Sequence, residues 1–244
     1  MVNHWLKRIQ PQSTPEFREV VYSAEHWELL KTIRRRAAEL LGLLVEGGVN
    51  AYIHGSVARG DVWRGSDIDV FIPDNIPSYI VETLLEKHGV KPYARMIVMA
   101  TPVNTPKAYI VMDSEERETI SFPLLKLKPR EYEFYRFSGL LDYRGLVEGR
   151  RVPGVNKALI LIDPTPSGHQ EIPVKGFEEY VARRLGVSLD TVLERERVLT
   201  RRSSIGRTGV FIKYQLTPDE SFEDALRELS RGNIYLRRML SSSE

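Results

Sequence analysis

The apolar residues of this chain recur at two periods, one typical of helices and one typical of strands. Between Ser23 and Glu46 they recur every three or four residues, which predicts a helix with Ser23 as its N-cap and Gly47-Gly48 after its end. Another helix is predicted from Pro77 to Gly89. Short apolar runs between glycine, proline or polar residues predict strands at 49–54, 67–72, 94–99, 107–112 and 118–125. This order predicts an α+β fold, a mixed sheet with helices on one side.

The pattern changes after Pro129. Helices are predicted at 130–137, 177–185, 189–200 and 221–240, and strands at 156–162 and 207–216. These elements predict a C-terminal α/β accessory domain, so that residues 21–128 form the first domain and residues 129–244 the second. The helix, helix, strand order between residues 177 and 216 is also compatible with a winged-helix-like module.

Composition narrows the class of protein. The chain has 244 residues, of which 42% are hydrophobic, and this is enough for a globular core. A net charge of +2 provides no general attraction for nucleic acid, so such a partner needs a local basic patch. The absence of cysteine excludes disulfides and thiolate sites. Without an apolar signal segment or a long apolar run, we expect a soluble, cytoplasmic protein that does not bind membranes.

The segment His-Gly-Ser-Val-Ala-Arg-Gly-Asp at residues 54–61 predicts a phosphate-binding turn. Gly55 has no Cβ, so the backbone can approach a phosphate group closely. Ser56 offers a hydroxyl and a backbone N–H, and a helical turn after it presents further N–H groups. Arg59 is expected either to contact phosphate or to brace Asp67.

Two carboxylates follow this turn, in Ser-Asp-Ile-Asp-Val-Phe-Ile at residues 66–72. Residues i and i+2 of a strand point to the same side and lie roughly 6.6 Å apart, so Asp67 and Asp69 are expected to face one metal site. Mg²⁺ and Mn²⁺ prefer oxygen ligands of this kind. The apolar residues between them are expected to face the core. The turn and the strand together predict a site for a metal-bound nucleoside triphosphate.

Gly-Ser, a spacer and Asp-x-Asp in this order resemble the nucleotidyltransferases of the DNA polymerase β superfamily, over residues 49–72. The GSxARG form is frequent in the smaller members. The resemblance implies a palm-like catalytic domain that moves a nucleoside monophosphate from a triphosphate to an acceptor hydroxyl, with Mg²⁺ or Mn²⁺ bound and pyrophosphate released. It also implies a third metal-binding carboxylate on a later strand. Glu118 is the first choice for it and Asp113 the second, while Glu118 as a solvated hairpin residue remains the alternative.

The second half contains a basic segment that favours RNA as the acceptor. Its candidate contact residues are Arg195, Arg197, Arg201, Arg202 and Arg207. The alternative is the solvated face of a helix that buries Val192, Leu193 and Val198.

Two histidines lie near the segments described above, and each has an expected role. His54 is expected to pack or to bind backbone. His169 follows a segment that looks like the D-P-T strand end of CCA-adding and poly(A) polymerase accessory domains, and is expected in a loop, either contacting substrate or merely exposed.

The GSxARG form is shared with minimal nucleotidyltransferase antitoxins, so adenylylation of a protein is an alternative function. A nucleotide-binding module without turnover is another.

Overall fold

The computed structural model describes residues 17–206 and 209–242. Their contacts divide the chain into two compact units. The first unit contains residues 17–36, 53–66 and 132–206, and the second contains residues 37–52, 67–131 and 209–242. Both units take segments from both sides of residue 129, so the contacts do not follow the predicted boundary. The functional division into residues 21–128 and 129–244 stays a prediction.

The described residues form both strands and helices along the whole of their length. In chain order the strands are β1 (Arg18–Val21), β2 (Tyr52–His54), β3 (Ile68–Phe71), β4 (Ala94–Met99), β5 (Lys107–Val111), β6 (Glu118–Pro123), β7 (Leu140–Asp142), β8 (Gly154–Val155), β9 (Ile160–Thr165), β10 (Gly168–Pro173) and β11 (Ile212–Gln215). The helices are α1 (Ala24–Glu46), α2 (Ser56–Arg59), α3 (Ser78–Lys87), α4 (Pro129–Ser138), α5 (Tyr143–Val147), α6 (Glu178–Leu185), α7 (Leu189–Ile205), α8 (Phe222–Gly232) and α9 (Ile234–Ser241).

The second unit is built on a mixed sheet, which confirms the predicted fold class. Its strands lie in the order β11-β4-β5-β6-β3. β3 and β6 are parallel, whereas the other neighbours are antiparallel. β5 and β6 form the predicted hairpin. Helices cover the apolar face of the sheet: Phe122 of β6 meets Phe222 of α8 with ring centroids 5.6 Å apart, and the Glu223 carboxylate accepts hydrogen bonds from the backbone N–H and hydroxyl of Ser78 at the start of α3.

The first unit contains a four-stranded antiparallel sheet in the order β1-β10-β9-β8. Its core combines residues of β9 and β10 with residues of α4, α6 and α7, among them Phe137, Leu161, Ile172, Val181 and Val192. β10 was not predicted, because its polar sequence between Gly168 and Pro173 is typical of a loop. Six consecutive residues of β10 nevertheless pair with β9.

Two predictions for the C-terminal region were wrong. The winged-helix-like module does not form, because α6 and α7 belong to the first unit whereas β11 pairs with β4 in the second. The single helix expected over residues 221–240 is divided at Asn233, which has an extended backbone and accepts hydrogen bonds from the N–H groups of Tyr235 and Leu236 at the start of α9. Across residues 17–206 and 209–242, no helix has the length and apolar character needed to cross a membrane.

Candidate active site

The predicted phosphate turn lies between β2 and α2 in the first unit. Gly55 has a φ of 81°, in the region that side chains rarely adopt, although a Cβ there would meet nothing within 4 Å. Its N–H donates to the carbonyl of Gly139 at 3.0 Å, and its carbonyl accepts from the N–H groups of Ala58 and Arg59. The turn is therefore held by backbone hydrogen bonds on both sides of a glycine.

Ser56 is joined by its hydroxyl to the turn that precedes Asp67 in the chain. It donates to the hydroxyl oxygen of Ser66 at 3.2 Å, and the same oxygen accepts from the N–H of Trp63 at 2.9 Å. The N–H of Ser66 donates in return to the carbonyl of Trp63 at 2.9 Å. The Ser56 side chain thus has a fixed direction in this structure, and it must exchange its partner to donate to a phosphate.

Arg59 is buried, with 5% of its surface exposed. Its guanidinium forms two hydrogen bonds with the Asp61 carboxylate, at 2.9 and 3.0 Å, and a third with the carbonyl of Ser138 at 2.7 Å. The carboxylate that it binds is therefore Asp61 and not Asp67. Contact between Arg59 and phosphate stays a prediction.

Arg34 of α1 supports the same turn and was missed in the sequence. Its guanidinium donates to the carbonyls of Val57 and Ala58, at 3.0 and 3.1 Å, and to that of Arg150 at 2.7 Å. Burial lowers the pKa of Arg34 to about 10. In the sequence Arg34 is one of three consecutive arginines, so nothing there distinguishes it from a solvated charge.

Asp67 and Asp69 belong to the second unit, Asp67 immediately before β3 and Asp69 within it. Both are partly exposed, whereas Ile68 and Val70 are buried. Because strand positions alternate, the two carboxylates share the side of β3 opposite to these apolar residues. The Thr119 hydroxyl of β6 donates to Asp69 Oδ1 at 2.9 Å. Two carboxylates at this spacing are donors that suit a hard divalent cation.

Neither predicted third ligand joins this pair. In the register of β3 and β6, Glu118 pairs with Ile68 and Thr119 pairs with Asp69, so Glu118 starts on the apolar face of the sheet. Among the residues that the structure describes, no three His, Cys, Asp or Glu side chains are placed to hold a metal ion.

The second choice, Asp113, holds the turn of the β5–β6 hairpin. Its carboxylate accepts hydrogen bonds from the N–H groups of Glu115 and Glu118, at 2.7 Å each, and from that of Arg117. Partial burial raises the pKa of Asp113, but these hydrogen bonds outweigh that effect and lower it below its ordinary value. The carboxylate is therefore engaged in the turn.

Tyr109 of β5 is a further residue on the Asp69 side of the sheet that the sequence did not indicate. It pairs with Ser121, which lies two residues beyond Thr119 on β6. Burial, together with the negative charge of Asp69, raises the pKa of Tyr109 to about 12. Its phenol is therefore neutral at pH 7 and can donate a hydrogen bond.

His54 and His169 both pack within the first unit. His169 lies in β10 and is only 4% exposed, which corrects the expectation of a loop residue, exposed or contacting substrate. Its Nδ1 lies 2.8 Å from the Tyr22 hydroxyl, and its Nε2 lies 3.5 Å from the Glu171 carboxylate. His54 packs against the Tyr135 ring, as expected, and its Nδ1 lies 3.4 Å from the Ser138 hydroxyl.

The predicted RNA-contact residues have different surroundings. Arg195 stacks on the Phe134 ring at 4.6 Å, and burial lowers its pKa to about 10, so it belongs to the packing of α7. Arg197, Arg201 and Arg202 are exposed on α7, and Arg207 lies outside the described residues. Of the apolar residues expected beneath this face, Val192 is buried but Leu193 is exposed.

Comparison with known proteins identifies the central part of the chain. Residues 30–135 match the family model of the nucleotidyltransferase domain, and this region includes the Gly55-Ser56 turn, Asp67 and Asp69. Neither the curated proteins nor the solved structures include a match to this chain. Residues 30–135 are therefore a nucleotidyltransferase domain of the DNA polymerase β-like superfamily, and the protein is a transferase enzyme.

Proposed function

We propose that this enzyme transfers a nucleoside monophosphate from a nucleoside triphosphate, ATP among them, to an acceptor hydroxyl. The observation that carries the proposal is the pair Asp67 and Asp69 on the polar side of β3, inside the region that matches the nucleotidyltransferase domain. Ile68 and Val70 are buried here whereas both carboxylates are partly exposed, and carboxylate oxygens are the ligands that a hard divalent cation prefers.

The donor set at this strand fits Mg²⁺ or Mn²⁺, with Asp67 and Asp69 as its protein ligands. When bound, the cation supplies positive charge for the triphosphate and for the leaving pyrophosphate. Gly55 allows the backbone to approach the phosphates, and Ser56 donates its N–H and hydroxyl to them. We propose Arg59 as the residue that holds this turn in shape through Asp61 and Ser138.

The reaction is an in-line displacement at the α-phosphorus. The acceptor oxygen forms a bond to this phosphorus while the bond to the bridging oxygen of the β-phosphate breaks, and pyrophosphate leaves with the electron pair. The acceptor proton passes to a carboxylate of the Asp67 and Asp69 pair or to water beside it.

We propose RNA as the acceptor. The support is the exposed basic surface of α7, formed by Arg197, Arg201 and Arg202. In the part of the chain that the structure describes, none of these three side chains forms an ion pair, so their charges remain available to phosphates. Since a local patch is needed in a chain with a net charge of only +2, this surface is where RNA binding is expected.

The test is incubation with labelled ATP, CTP, GTP and UTP in turn, with cellular RNA and either Mg²⁺ or Mn²⁺. We expect label on RNA with wild-type protein and none with Asp69→Asn. Label on protein from a lysate instead would show adenylylation of a protein, the function suggested by the GSxARG form. Nucleotide binding without any pyrophosphate release would show a binding module, and would contradict the proposed reaction.

A further inference from the structure

The strand beside β3 presents hydroxyls where the superfamily is expected to present a third carboxylate. Thr119 pairs with Asp69, and Ser121 lies two residues further along the same face of β6. Both are buried, and Thr119 has 8% of its surface exposed. The Ser121 hydroxyl donates to the carbonyl of Val70 at 3.3 Å. Of the two, Thr119 is the residue whose hydroxyl reaches the carboxylate.

The bond between Thr119 and Asp69 limits how the carboxylate can act. A carboxylate has two oxygens and about four lone-pair sites, and Thr119 takes one of these on Oδ1. The hydrogen bond fixes the rotation of the carboxylate and leaves Oδ2 for a cation. Because the hydroxyl is neutral, the polar face of β3 and β6 carries the charges of Asp67 and Asp69 alone.

Glu118 and Thr119 are consecutive residues of β6 and therefore lie on opposite faces of the sheet. Glu118 pairs with Ile68, so it starts from the face whose next members are the buried Ile120 and Phe122. Thr119 starts from the face of Asp69. A carboxylate at position 118 and a carboxylate at position 119 would therefore project from opposite faces of the sheet.

We propose that Thr119 is a positioning residue for Asp69 and occupies the place of the third carboxylate, so that the protein by itself binds one divalent cation and not two. This inference rests on the proposed function, since it assumes that Asp67 and Asp69 are the metal ligands. A second cation would then need phosphate oxygens of the nucleotide as ligands.

The first test counts Mn²⁺ ions bound without nucleotide, by electron paramagnetic resonance and calorimetry. We expect about one Mn²⁺ per chain for the wild type and a second one for Thr119→Asp, because a third carboxylate completes an oxygen ligand set. The matched control is Glu118→Gln, one residue away, which should bind Mn²⁺ like the wild type. Loss of Mn²⁺ in Glu118→Gln, or two Mn²⁺ ions in the wild type, would overturn the inference.

A second pair of variants guards against a misfolded Thr119→Asp. Thr119→Val removes the hydroxyl, and we expect Mn²⁺ affinity to fall about tenfold, the scale on which residues that orient metal ligands act. Thr119→Ser retains a hydroxyl and should restore the affinity. If Thr119→Val lowers only the melting temperature and leaves Mn²⁺ affinity unchanged, Thr119 is structural and the inference is wrong.

These experiments also distinguish a failure of the Thr119 inference from a failure of the proposed transfer reaction. Mn²⁺ binding that depends on Thr119, in a protein that transfers no nucleotide to RNA or protein, would support the inference and refute the transfer reaction. Equal Mn²⁺ binding by the wild type and Asp69→Asn would place the cation elsewhere and overturn the inference, even if transfer occurs.

Discussion

Arg59 and Asp61 form a two-point ion pair beside the turn at Gly55, with nitrogen–oxygen distances of 2.9 and 3.0 Å. The guanidinium also donates to the Ser138 carbonyl, which joins the turn to the end of α4. Arg59 is buried, so Asp61 balances a charge that has little contact with water.

Asp61→Asn should destabilise the protein by about 3 kcal/mol, because it leaves a buried guanidinium without its carboxylate. Denaturant unfolding measures this change. The control is Glu148→Gln, which removes the partner of Arg144 and Arg150 in exposed ion pairs and should cost about 1 kcal/mol or less. Equal losses in the two variants would mean that the Arg59–Asp61 pair contributes no more than a surface pair.

Gly55→Ala should impair transfer more than it impairs stability. With φ 81° and ψ −148°, Gly55 lies in a backbone region that only glycine adopts readily, so alanine costs about 1–3 kcal/mol, and the added Cβ would stand where the phosphates are expected. Gly48→Ala is the control, because Gly48 also has a positive φ, of 80°, and open space around its Cβ position. Unfolding and initial rates should show a stability loss in both variants, with the rate reduced only in Gly55→Ala. Equal rates would remove Gly55 from the phosphate site.

Asp69→Asn should lower the rate of transfer by at least about a hundredfold, since loss of a metal ligand exceeds the loss of an outer partner. Its fold should be nearly unchanged, because Asp69 is partly exposed and asparagine can still accept from Thr119. Asp74→Asn, an exposed aspartate beyond the end of β3, is the control for charge and should keep full activity. An active Asp69→Asn enzyme would refute the mechanism.

Alkaline pH should destabilise the protein through Tyr109. Its pKa is raised to about 12 in the folded state from an ordinary value near 10, so the folded state holds this proton more tightly than the unfolded state does. The stability that this provides is complete below about pH 10 and is lost as the pH rises towards 12. Unfolding measured at several pH values should show a weaker dependence in this window for Tyr109→Phe. If the free energy of unfolding of Tyr109→Phe depends on pH as that of the wild type does, Tyr109 does not have a raised pKa in the folded state.

Arg197, Arg201 and Arg202 should contribute to RNA binding through phosphate contacts. Replacing all three by glutamine should reduce the slope of log K against log salt by about two units for single-stranded RNA. Nucleotide binding without RNA should not change. Substitution of Arg227 and Arg231, exposed on α8, controls for the loss of positive charge. An unchanged salt slope in the α7 variant would exclude this surface as the RNA site.

Local sequence patterns predicted most strands of the mixed sheet in the second unit and the helix before it. The strand expected at 94–99 is β4, and the helix expected from Ser23 is α1, with the Ser23 hydroxyl accepting from the His26 N–H. Both depend on periodicity and capping within one segment. β10 was missed because its pairing with β9 and β1, and not its own composition, makes it a strand.

The sequence by itself determined which functional groups the candidate site contains. These are a glycine that tolerates positive φ, a serine, and two carboxylates at alternate positions of an apolar segment. These follow from conformations and spacings that a few neighbouring residues define. The folded structure decided which distant residues act with them. Only strand register shows that Thr119, not Glu118, faces Asp69, and only packing shows that Arg59 binds Asp61. A shift of one residue in register exchanges the faces of a strand, and sequence spacing does not specify that register.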